Sequence, residues 1–147
     1  MNFGSDNGIG DMMESTFDFI RNNMAGTPFH QWLLPELIAV NDEESSVTVR
    51  LVIRPDLGNS VERSDLHGGI VAALIDIAGH AAAAAKVLHS VPTIDMRVDY
   101  LRPANGTEII AVATVIKLGR AISLVDIRLT NDQNKLVAVG RASYVTS

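Results

Sequence analysis

The stretch HGGIVAALIDIAGHAAAAA, His67 to Ala85, decides the fold. Two glycines introduce a nearly unbroken apolar run with one carboxylate, Asp76, in its middle. Its length suits a helix of about five turns, ending near His89-Ser90-Val91-Pro92. On a helical wheel, Ile70, Leu74, Ile77, Ala81 and Leu88 share one face, which suits packing against a sheet. Asp76 lies on another face, among Ala72, Ala73, Gly79, His80 and Ala83. Buried and unpaired, a carboxylate there is expensive. Its small neighbours allow a helix, a partner subunit or a slender ligand to come close.

Outward from the helix, the pattern changes to strands. Ser46 to Arg54 alternates, and Pro55 to Leu66 is a polar, turn-rich loop. Four strand-like segments follow the helix: Thr93–Leu101, Glu108–Leu118, Ala121–Thr130 and Lys135–Val145. Turn residues separate them, and short connections favour antiparallel neighbours. Before the helix, apolar spacing from Ile9 to Met24 predicts a short amphipathic helix, and Phe29 to Ala39 reads as extended, with Pro35 interrupting any ladder. One long apolar helix beside about five strands is an α+β architecture, with the sheet curled around the helix. A chain of 147 residues without internal repeat reads as a single domain, 1–147, whose first 28 residues form an extension.

Composition narrows the chemistry. The net charge is −5 and no Lys/Arg cluster occurs, which argues against nucleic acid. The absence of cysteine rules out disulfides and a thiolate nucleophile, and fits a cytoplasmic protein. The opening residues lack a basic segment followed by an apolar core, which reads against a secretory signal. Asp76, His80 and Lys86 interrupt the apolar run, so no membrane span is expected. The four histidines are scattered without metal-ligand spacing, so neither metal nor cofactor is expected.

Gly68 and Gly69 sit at the helix start, where amides lack intrahelical partners and the dipole is positive. Without side chains they let an oxyanion or polarised carbonyl approach those N–H groups. His67, just before them, is placed to cap, orient or donate. Taken singly, Gly-Gly is a tight turn and an acid in a helix is an ion-pair partner. Together they suggest chemistry on a carbonyl. Yet Asp76 is nine residues from His67, about 13 Å along the axis. One helix cannot bring both to a single substrate atom, whereas a second copy of the chain can.

These elements resemble the hotdog-fold thioesterases, in the branch of the phenylacetate-pathway thioesterase and thioesterase superfamily member 2. The resemblance is carried by HGGIVAALIDIAG at 67–79, TIDMRVDYLRPA at 93–104, LGRAISLVDIRLTN at 118–131 and KLVAVGRASYV at 135–145. It implies an antiparallel sheet of five to six strands around one central helix. It also implies a homodimer or a tetramer of two dimers, with sites at the dimer interface and acyl-coenzyme A or acyl-carrier protein as substrate. Asp76 then matches the catalytic acid, as general base or direct nucleophile. The Gly69 N–H matches the carbonyl-polarising group and His67 the motif histidine. Thr93 matches a Ser or Thr that holds the water.

One position departs from the pattern. Members often carry Asn six residues before the motif histidine, where this chain has Val61. An insertion restoring Asn59, a replacement by Ser64 or Glu62, and a water held differently all stay open. Arg102, Arg120 and Arg141 are candidates for coenzyme A phosphates, with Arg120, after Gly119 in a turn, the best placed. Two rival readings are a hotdog hydratase or dehydratase, suggested by Asp76 with His80, and a non-catalytic acyl-CoA binding module. The acyl group itself is not legible, since Phe17, Phe19, Phe29 and Trp32 suit an acyl pocket or packing of the first helix.

Overall fold

Alternation of burial along the strands builds the sheet. In β2 (Ser46–Val52), Val47, Val49 and Leu51 point inward while Thr48 and Arg50 do not. The same period recurs in β4 (Glu108–Leu118), β5 (Ile122–Asn131) and β6 (Leu136–Val145). The computed structural model describes residues 14–147. With β1 (Glu36–Asn41) and β3 (Thr93–Tyr100), the strands form one six-stranded antiparallel sheet in the order β1-β2-β4-β5-β6-β3.

The helix α3 (Gly68–Val87) lies against this sheet, touching β2 through β6. Leu74, Ile75, Ala78, Ala81 and Ala82 of α3 meet Ala111 and Ala113 of β4 and Ala138 and Ala142 of β6 in the core. Small residues on both sides let the sheet close tightly on the helix. Burying a Leu74 or Ile75 contributes about 1.5–3 kcal/mol. At Gly140 the helix comes close to the sheet: a Cβ there would stand 2.6 Å from Ile75 Cγ2. The helix is long and apolar enough to cross a membrane, but 56% of its most apolar stretch is buried inside the fold.

α3 is capped at both ends. His67 Nδ1 accepts from the Gly69 N–H at 2.8 Å, and Leu88 closes the helix in the left-handed region, φ 58°, with its N–H on the Ala84 carbonyl at 2.7 Å. Leu88 is therefore an exposed cap, whereas the wheel put it on the packing face. On the small face, Gly79 and Ala83 are buried in the chain's own core, while Ala72, Ala73 and His80 are only half-buried.

The N-terminal region is more helical than its sequence suggests. The expected first helix is α1 (Thr16–Ala25), capped by the Ser15 side chain on the Asp18 N–H at 3.1 Å; its predicted start, Ile9–Met13, lies outside the described residues. Phe29 to Ala39 is not one extended segment. Pro28 opens a short helix α2 (Pro28–Leu33), which Leu34 ends at φ 63° before β1. Proline's fixed φ suits a first helical position, and that local preference prevails over the extended reading. Pro35 stands just before β1, where it costs no ladder bond.

β3 is an edge strand, paired only with β6, and it leaves Ile94, Met96, Tyr100 and the adjoining Leu101 exposed in the single chain. Its register shifts at Ile94: Thr93 faces Tyr144 and Asp95 faces Ser143. In a regular strand Thr93 and Asp95 would share a face. The bulge separates them, turning the exposed Thr93 toward α3 beside Tyr144 while Asp95 bonds Ser143 on the outer face.

Candidate functional site

Asp76 is half-buried, and two strands supply its partners. Thr93 Oγ1 donates to Asp76 Oδ1 at 2.8 Å, from the first residue of β3. The Tyr144 hydroxyl of β6 lies 3.1 Å from the Asp76 main-chain oxygen and 3.3 Å from Oδ1, sharing its proton between them. Burial, then the charge of Asp76, pushes the Tyr144 phenol well above its ordinary pKa, which keeps it a donor. Gly79 makes room for that hydroxyl, because a Cβ there would collide with it. Oδ2 makes no side-chain bond among the described residues, so the carboxylate keeps a free basic oxygen.

A cavity of about 280 Å³ opens beside Asp76. Asn23 of α1, Thr27 before α2, His30 of α2, His80 of α3 and Ser90 contribute polar walls. His80 Nε2 accepts the Val91 N–H at 3.3 Å and lies 3.2 Å from Ser90 Oγ, fixing the ring. His30 Nδ1 lies 3.2 Å from the Met24 carbonyl. Burial lowers both histidine pKa values, while the Asp76 charge partly offsets it.

The other expected residues lie elsewhere in the chain. His67 and Gly69 are at the start of α3, and the Gly69 N–H is taken by His67 Nδ1. Tyr100 braces the same turn, donating to the Gly68 carbonyl at 2.8 Å. Asn59 lines a separate cavity of about 830 Å³ with Arg54, Glu62, Arg63 and Ser64, and Val61 is fully exposed on that loop. Within one chain, therefore, Asp76 and Thr93 come together, and Asn59 is not with them.

Comparison with known proteins narrows what such an acid can serve. A family model described as the Thioesterase superfamily matches residues 64–138, just over half of the chain and including both His67 and Asp76. The chain belongs to the Thioesterase superfamily. A solved thioesterase superfamily protein, 32% identical, superposes with a TM-score of 0.84 and covers 90% of this chain and 98% of that one. The Escherichia coli PaaI protein from the phenylacetic acid degradation operon, 21% identical, has the same fold at a TM-score of 0.80, over 90% of this chain and 93% of that one. The Escherichia coli K12 medium/long-chain acyl-CoA thioesterase YigI is 26% identical over 133 residues, covering 80% of this chain and 84% of that one. A Halobacterium salinarum relative assigned by name to the esterases is 40% identical over 90 residues. That match covers 54% of this chain and spans 59% of the relative's length.

Four residues lining this thioesterase superfamily protein's acid cavity, Asn23, Thr27, His30 and Ser90, and Tyr144 behind Asp76, are not marked as site residues by the sequence. Tyr144 had a signal. It falls in phase with the inward Ala138 and Ala142 of β6, and a buried tyrosine needs a partner for its hydroxyl. The cavity members from α1 and α2 had none, because the packing of α1 on α3 and of α2 on α1 brings them there. Of the arginines, Arg141 is paired with Asp126 through bonds of 2.6 and 2.9 Å, and Arg102 donates to the Leu136 carbonyl at 2.8 Å. Arg120 is exposed in the β4–β5 turn, where Gly119 passes within bonding distance of the Ile122 carbonyl, 2.9 Å.

Proposed function

We propose that this protein hydrolyses acyl-CoA thioesters, with Asp76 as general base. The observation that carries this reading is the state of Asp76. One carboxylate oxygen is held by Thr93 and Tyr144, and the side chain borders a polar cavity with room for water, in a chain of the Thioesterase superfamily. A water bound there loses a proton to Asp76 as its oxygen attacks the thioester carbonyl. The tetrahedral intermediate collapses, the C–S bond breaks, and the sulfur takes the proton from Asp76. Carboxylic acid and thiol leave, and Asp76 is again a carboxylate.

Charge on the carbonyl oxygen needs a donor. The Gly69 N–H at the positive end of α3 serves, once a carbonyl takes the place of His67 Nδ1. Because Gly69 and Asp76 of one helix lie about 10 Å apart, the donor comes from a second subunit. The free edge of β3, with exposed Ile94 and Met96, is the surface on which two copies join, as dimers or pairs of dimers. Asn59, on the same loop side as His67, then reaches the site from the partner. Arg120 at its exposed turn meets the coenzyme A phosphates. His80 is tied to Ser90 and Val91, which disfavours it as the second acid–base group of a hydratase.

The test is thiol release from a panel of short, long and aromatic acyl-CoAs. Asp76→Ala should lose at least ~100-fold in kcat and remain oligomeric by light scattering. Retained hydrolysis would sink the mechanism, and dissociation would make Asp76 structural. Mixing inactive Asp76→Ala with inactive Gly69→Pro subunits should restore activity. No restoration would place both groups in one chain's site.

A further inference from the structure

The cavity beside Asp76 holds a histidine that the mechanism above leaves unused. His30 reaches it from α2, far from Asp76 in sequence and brought there by packing of the N-terminal helices. Its Nδ1 stands 3.2 Å from the Met24 carbonyl oxygen. A carbonyl only accepts, so Nδ1 carries the hydrogen of that bond. In the neutral ring, Nε2 is then an open acceptor. Burial holds the ring toward the neutral form. His80 has the opposite tautomer, since the Val91 N–H donates to its Nε2. The cavity therefore counts Asp76 and the His30 ring among its acceptors, beside the amide oxygen of Asn23 and the hydroxyls of Thr27 and Ser90.

Its size and lining decide what those acceptors meet. A water in the liquid occupies about 30 Å³, so about 280 Å³ holds several waters. Ile77 is its one apolar wall residue, which makes it a poor place for an alkyl chain. We infer that His30 is a second acceptor for the hydrolytic water. Asp76 and His30 Nε2 take the two O–H bonds of one water, which leaves an oxygen lone pair directed at the thioester carbonyl. His30 only accepts a hydrogen bond. The proton still passes from water to Asp76 and from Asp76 to the departing sulfur. This assignment rests on the thioesterase reading. It supplies the water with a second anchor where Val61, six residues before His67, offers no polar group.

Two substitutions separate this role from a structural one. His30→Asn keeps a donor for the Met24 carbonyl and deletes the Nε2 acceptor. His30→Gln gives up the Met24 bond and carries an amide oxygen outward. Thiol release from the best acyl-CoA of the panel should show kcat lowered ~10- to 100-fold in His30→Asn, with KM and melting temperature unchanged, and partial recovery in His30→Gln. The groups facing His30 are Asp76 and His80 of α3, Arg21 of α1 and Glu36 of β1. Protonating His30 removes its acceptor, so the acid limb of the wild-type kcat profile should move to lower pH in His30→Asn. Wild-type kcat in His30→Asn, an unmoved acid limb, or His30→Gln less active than His30→Asn would each overturn the assignment. Those outcomes leave the Asp76 mechanism standing, whereas a wild type that hydrolyses no acyl-CoA sinks both.

Discussion

Thr93 Oγ1 donates to Asp76 Oδ1 at 2.8 Å, and it reaches that atom because Ile94 bulges out of register beside it. The bond fixes the carboxylate's rotamer and engages one oxygen, leaving the other for water. Thr93→Ala should therefore lower kcat about tenfold with little change in KM, while Thr93→Ser should stay within about twofold of wild type. Steady-state kinetics on one acyl-CoA decides it. A Thr93→Ala enzyme with full kcat would mean that Tyr144 orients Asp76 unaided.

Gly79 and Tyr144 are a fitted pair. An alanine Cβ at 79 would collide with the Tyr144 hydroxyl and stand 3.0 Å from its Cζ. Gly79→Ala should cost roughly 1–3 kcal/mol, the usual scale of overpacking, and should lower kcat by displacing the phenol from Asp76. Tyr144→Phe removes the colliding atom. The double variant should then lose less stability than the two single losses added, as denaturant midpoints will report.

His30 and His80 set an acid limit on stability. Burial depresses both folded-state pKa values below the ordinary histidine value of about 6.5. The unfolded chain thus binds these protons more readily than the folded one, so acid favours unfolding. Their contribution is whole above about pH 6.5 and is lost as the pH falls from there through the folded-state values. Melting temperature should fall over that window and fall less in the double variant His30→Asn/His80→Asn. An equal slope in both proteins would assign the acid sensitivity to carboxylates instead.

Arg120 is exposed in a tight turn, whereas Arg141 is committed to Asp126. If Arg120 meets coenzyme A phosphate, Arg120→Ala should raise KM for acyl-CoA several-fold, leave kcat alone, and leave the KM of an acyl-pantetheine unchanged. Equal effects on both substrates would remove it from the phosphate site.

The helix, the strands and the acid were legible because each rests on a local period. Apolar spacing marked α3, alternation marked β2, β4, β5 and β6, and Asp76 stood out as the one carboxylate in the apolar run. The sequence reads Phe29 to Ala39 as extended because a six-residue helix shows too few turns for its period to register, and Pro28 looks like the end of the preceding helix rather than the start of a new one. Leu88 was placed on the packing face because the wheel does not know where a helix stops.

By itself the sequence determined a central apolar helix carrying one acid, a glycine turn at its start, and an antiparallel sheet to cover it. Only the tertiary structure decided what Asp76 touches. Thr93 meets the acid beside a bulge in β3, Tyr144 enters because residue 79 lacks a side chain, and His30 arrives on a helix packed against α1. Each of these depends on contacts between residues far apart in the chain, and no local period in the sequence encodes them.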